Sequence, residues 1–97
     1  AEHSDVQVRK QLAGNDRVPP TVLASLVNDE LEVRRTLSTN VGVYRKTLDV
    51  LATDTDTQVR MNVASNWHTC RKTLETLTTD VSVDVAAAAR DTIRRWW

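Results

Sequence analysis

The chain has 97 residues, which is enough for one domain and no more. Its 13 Lys and Arg balance its 13 Asp and Glu, so no global field draws it to nucleic acid or to an anionic membrane. Cys70 has no second thiol for an internal disulfide, the apolar runs are too short for a membrane span or a signal-peptide core, and Phe is absent, so Val and Leu must supply the core.

A period of about 25 residues, within the range typical of stacked repeat arrays, organises the sequence. Val8-Arg9 recurs as Val33-Arg34, as Val59-Arg60 and, without the arginine, as Val85-Ala86. Asn15, Asn40 and Asn66 keep the same step, as do Leu23, Leu48 and Leu74, then Leu26, Leu51 and Leu77, then Asp29, Asp54 and Asp80. The units run over about 5–29, 30–54 and 55–80, with a C-terminal cap at 81–97. Setting Val8 on Val59 puts Ala1 on Ala52 and Asp5 on Asp56. The chain is therefore expected to start inside a repeat, as a piece of a longer array or with a degenerate first unit.

Within each unit the first element covers residues 5–13, 30–38 and 56–64. Apolar pairs four apart (Val8 and Leu12, Val33 and Leu37, Val59 and Val63) put one face of a short helix against the core. These segments are short and rich in Val and Thr, so packing must hold them, and part of each is open to a 3₁₀ conformation. Asp5, Asp29 and Asp54 or Asp56 stand where an N-cap acceptor is wanted. Asn15, Asn40 and Asn66 close the first elements, where a left-handed turn is expected. The second element covers 19–28, 44–53 and 70–79. There Leu23, Leu26 and Val27, and their counterparts, give the i, i+3, i+4 spacing of an amphipathic helix, and Pro20 suits its first turn. In the cap nothing interrupts 83–95, so one longer helix is expected, with four consecutive alanines, Ala86 to Ala89, allowing close approach.

The copy Val8-Arg9, Leu12-Ala13-Gly14-Asn15, Pro19-Pro20, Leu23, Leu26, Asp29 resembles the leucine-rich repeat variant, and the resemblance extends from Ala1 to about Ala89. It implies an all-α fold: a short α-solenoid of about three to four stacked repeats, each α/3₁₀ or α/α, in a right-handed superhelix. A HEAT-like array has a similar Asp and Val-Arg signature and remains the alternative. The chain has no counterpart to the Cys-rich iron–sulfur segment of some family members.

Arg9, Arg34 and Arg60 form a column, read as a ladder to Asp29, Asp54, Asp56 or Asp80 rather than as a phosphate-binding row. The Asn column is read as satisfying loop backbone rather than as binding a polar ligand. Arg45-Lys46 and Arg71-Lys72 open two successive second helices. Asp49 and Glu75 stand at i+4 from the arginines, while Lys46 and Lys72 have no such partner. Trp67, in the loop before Arg71, is either a binding hot spot or packed on the next layer, and Trp96-Trp97 is expected to seal the last layer. His68 and Cys70 are too few for a zinc site, His3 is far off in sequence, and nothing orients a thiol–imidazole pair for catalysis.

No enzyme activity, cofactor or metal is expected. The expected function is macromolecular recognition, with another protein as partner, in the cytoplasm and with no membrane association. Arg45, Lys46, Trp67, Arg71 and Lys72 are the candidate partner-binding residues. Nucleic-acid binding by the same basic ridge is the alternative, and a structural segment of a longer array is the third reading.

Overall fold

The computed structural model describes residues 5–97; the match of Ala1 to Ala52, and His3, lie outside the described residues. Those residues form seven α-helices and no strand: α1 (Val6–Ala13), α2 (Pro20–Ala24), α3 (Leu31–Leu37), α4 (Arg45–Leu51), α5 (Thr57–Ala64), α6 (Arg71–Leu77) and α7 (Val83–Trp96). Helices α1, α3 and α5 are the first elements of successive units, and each is α rather than 3₁₀.

Side chains define the helix ends. Asp5 accepts from the Gln7 N–H at α1, Asp56 from Val59 N–H at α5, and Ser82 from Val85 N–H at α7, so each satisfies a donor that has no partner within its helix. Glu30 precedes α3 without a side-chain cap; Asp29, expected there, is engaged by an arginine instead. The second elements are shorter than their apolar spacing predicts. Ser25, Thr53 and Thr78 donate their hydroxyls to the carbonyls of Val22, Val50 and Glu75 at 2.6, 2.8 and 2.6 Å. Such hydroxyls compete with the helix for its carbonyls, and the chain leaves α2, α4 and α6 through tighter three-residue turns.

The left-handed turns expected at the Asn column do not form: among the described residues no φ is positive. The Asn15, Asn40 and Asn66 side chains instead accept from the N–H two residues on, in Arg17, Gly42 and His68, at 2.9, 2.6 and 2.9 Å. Gly42 also lies against the previous loop, where a Cβ would run into the Asp16 carbonyl.

Helix α1 packs on α3, α3 on α5 and α5 on α7, while α4 meets α5 and α6 meets α7. Leu23, Leu48 and Leu74 are fully buried, with Leu26, Leu51 and Leu77 nearly so, and Val33, Val59 and Val85 join them in the core. Each buried leucine contributes about 1.5–3 kcal/mol of transfer free energy. Val8 departs from its column. It is 44% exposed where its three counterparts are at 0%, because α1 has α3 on one side and, among the described residues, no first-element helix on the other. The molecule measures 40 × 23 × 15 Å. Among the described residues no helix is long and apolar enough to cross a membrane.

Candidate partner-binding surface

The arginine column is occupied by carboxylates. Arg9 Nε donates to Asp29 at 2.8 Å, Arg34 Nε to Asp54 at 2.8 Å and Arg60 Nε to Asp80 at 2.9 Å. Arg34 Nη1 also reaches the Asp29 carbonyl at 2.8 Å, and Arg60 Nη1 the Asp54 carbonyl at 3.0 Å. Each of these two guanidiniums thus ties the carboxylate closing its own unit to the backbone closing the unit before, using a donor fork that lysine lacks. The Arg60 hydrogen bond holds the Asp80 carboxyl below its ordinary range against the cost of burial, helped by the Ser82 N–H and the Arg60 charge. At Asp29 burial pushes the carboxyl up, and the Arg9 hydrogen bond, the Glu30 N–H and the Arg9 charge together outweigh it. A more exposed pair, Arg35 with Asp56 at 3.0 Å, lowers Asp56 chiefly through the Arg35 hydrogen bond. These guanidiniums are not a free row for a ligand.

The asparagine column is committed in the same way. Asn40 Nδ2 donates to the Ala13 carbonyl at 2.8 Å, and Asn66 Nδ2 to the Ser38 carbonyl at 3.2 Å, each reaching the end of the preceding first helix. Thr92 Oγ1 donates to the Ala64 carbonyl at 2.6 Å and continues the column into α7. Thr92 lies 26 residues after Asn66, so the period itself pointed to it; a hydroxyl takes over the work of an amide.

His68 Nε2 bonds the Val43 carbonyl at 2.9 Å, which assigns the proton to that nitrogen. The imidazole therefore braces one loop on another, and Cys70 stands at the N-cap of α6.

The candidate residues share one edge of the molecule. The loops joining first to second helices, the starts of α4 and α6 and the end of α7 all lie there, the last because Thr92 and Trp96 meet the end of α5 and the loop after it. Arg45 does not pair with Asp49. Its Nε donates to the His68 carbonyl at 3.0 Å, while Asp49 accepts from Thr73 on α6 at 2.6 Å. Arg71 does pair with Glu75, at 3.1 Å. Lys46 and Lys72 stand exposed at the second positions of α4 and α6, with no ion pair among the described residues. Arg94 and Arg95 extend the cations along α7, and both bind Asp91. Along this edge cations outnumber carboxylates, whereas the Asp29, Asp54, Asp56 and Asp80 carboxylates sit, arginine-paired, at the opposite edge.

Trp67 is 48% exposed and stands 6.1 Å, centroid to centroid, from Trp96. The sealing expected of Trp96 and Trp97 does not occur, since they are 60% and 49% exposed. Helix α7 has 14 residues against 8 in α5, so its last turns run past the packed row and carry Trp96 to Trp67. Sequence spacing alone does not place Trp96 beside Trp67, because its position depends on that overrun. No protein-family model, curated protein or solved structure matches the chain.

Proposed function

We propose that the chain is a non-enzymatic recognition module that binds another protein through the edge carrying Arg45, Lys46, Trp67, Arg71 and Lys72. The observation that carries this reading is the contrast between the two kinds of polar residue. The Arg, Asp and Asn columns are consumed by internal bonds, whereas Lys46, Lys72 and the Trp67–Trp96 pair remain open to solvent on one edge. Exposed aromatic side chains beside cations are the usual composition of a binding hot spot. Zero net charge does not weaken the reading once the charge is sorted between edges.

The same proposal takes the architecture to be a short α-solenoid, a right-handed stack of about three to four repeats like those of the leucine-rich repeat variant or HEAT proteins. It is supported by the sequential packing of α1, α3, α5 and α7 and by unit-to-unit bonds that recur at both junctions between full units. A cytoplasmic setting fits the unpaired Cys70. Nucleic acid is the second reading, favoured by one observation: two exposed indoles beside guanidiniums can stack on bases.

The test is affinity capture with the chain as bait, repeated with Lys46→Glu/Lys72→Glu, alongside titration of duplex DNA and single-stranded RNA across a salt series. Proteins retained by the native chain and lost by the double variant are the expected result. Nucleic acid bound with a steep salt slope would favour the second reading. A double variant that keeps every partner would reduce the ridge to a solvated helix face.

A further inference from the structure

Beside Trp67 a groove of ≈ 190 Å³ is lined by Thr39, Val41, Asn62, Ser65, Asn66 and Trp67. Its volume falls below the roughly 300–1,000 Å³ of small-molecule sites and suits one side chain. Its polar groups are largely spent. The Asn66 amide donates to the Ser38 and Asn40 carbonyls, the Asn62 amide donates to the Arg35 carbonyl and accepts from Gln58, and the Thr39 hydroxyl donates to the Thr36 carbonyl. What remains for a ligand is mainly Trp67 and Val41, with the Ser65 hydroxyl as an uncommitted polar group beside them, so the groove favours a largely apolar group.

The surroundings select charge. Arg45 is anchored on the His68 carbonyl next to Trp67, and Lys46 and Lys72 have no ion pair among the described residues. Asp49, Glu75 and Asp91 are interspersed among these cations. A phosphodiester backbone with uniform charge meets repulsion at each of them, whereas a peptide can place its carboxylates only against the lysines.

We propose that this groove seats one large apolar side chain of an extended acidic peptide segment, whose carboxylates pair with Lys46 and Lys72. The proposal rests on the protein-recognition reading above and adds the chemistry of the partner. The test is panning of a randomised twelve-residue phage-displayed peptide library on the full chain, followed by affinity measurements on the enriched peptides. Three variants are compared: Thr39→Phe, which fills the groove and keeps the indole; Trp67→Ala; and Lys46→Glu/Lys72→Glu. Each is first checked for a native-like thermal melt by circular dichroism.

The expected consensus is a single large apolar residue flanked by Asp or Glu. Binding should fall at least about 30-fold in Thr39→Phe and in Trp67→Ala, the loss typical of a hot-spot anchor, and should fall with salt and in the lysine variant. Acidic peptides that bind Thr39→Phe as well as the native chain would overturn the groove and leave the basic edge as a protein-binding surface. An apolar consensus without acidic residues would overturn the charge pairing and hence the proposal. No enriched peptide, with duplex DNA or single-stranded RNA bound instead, would overturn both this inference and the protein-recognition reading.

Discussion

Arg60 shows what a column residue contributes. Its guanidinium serves the Asp80 carboxylate and the Asp54 and Thr55 carbonyls together. Truncation to Ala leaves a mostly buried carboxylate without its guanidinium partner, with only the Ser82 N–H still donating to it. Arg60→Ala is predicted to lower stability by about 1–3 kcal/mol in urea unfolding while leaving partner capture intact. A loss of capture with unchanged stability would return the arginine to the binding surface. Asp29, Asp56 and Asp80 all have carboxyls lowered by folding. Their contribution is therefore fully present above the unfolded carboxylate value near about pH 4 and is lost as pH falls through the lower folded values. The urea midpoint should be flat from neutrality to about pH 5 and drop below about pH 4. The deficit of Arg60→Ala should shrink over the same acid range, because Asp80 is then protonated in both proteins. A deficit that stays constant down to pH 2 would show that its origin is not the ion pair.

At the scale of helices, the leucines carry the prediction. Leu51 is buried at the end of α4, so Leu51→Ala should cost about 2–5 kcal/mol. A thermal melt within a degree of the native one would mean that α4 does not rest on this residue. This part of the fold was legible in the sequence because leucine spacing at i, i+3 repeats with the period and needs only a helix to explain it. Helix α7 was legible for a similar reason, since nothing in 83–95 breaks a helix. Less legible were choices among near-equal partners. Asp49 is correctly spaced for Arg45, yet Thr73 takes it from the neighbouring helix, and spacing along one helix carries no information about the next. Nor did the sequence choose among four aspartates for the arginine column. That choice depends on a helix–loop–helix return that brings Arg34 to Asp54 and Arg60 to Asp80. For the proposed surface, the exposure of Lys46, Lys72 and Trp67 could be anticipated from the sequence, whereas the approach of Trp96 to Trp67 could not, since the overrun of α7 sets it.

For the whole molecule, the two junctions between full units repeat the same bonds, which leads to the prediction that they are equivalent. Asn40 meets Ala13 as Asn66 meets Ser38, and Arg34 meets the Asp29 carbonyl as Arg60 meets that of Asp54. Removal of residues 30–54 would bring Thr55 directly after Asp29. Arg60 would then face the Asp29 carbonyl, and Asn66 the Ala13 carbonyl. This shortened chain is predicted to fold, with helical circular dichroism per residue close to native and a lower melting temperature. Removal of half a period, residues 30–42, should leave no cooperative melt; equal behaviour of the two deletions would sink the idea of equivalent junctions. The bridging arginines thus act as a standard coupling between segments of one gauge. If the two deletions behave as predicted, duplication or loss of a single period in the gene would change the length of the protein without demanding a new interface, and the proposed binding edge would lengthen or shorten with it in one mutational step.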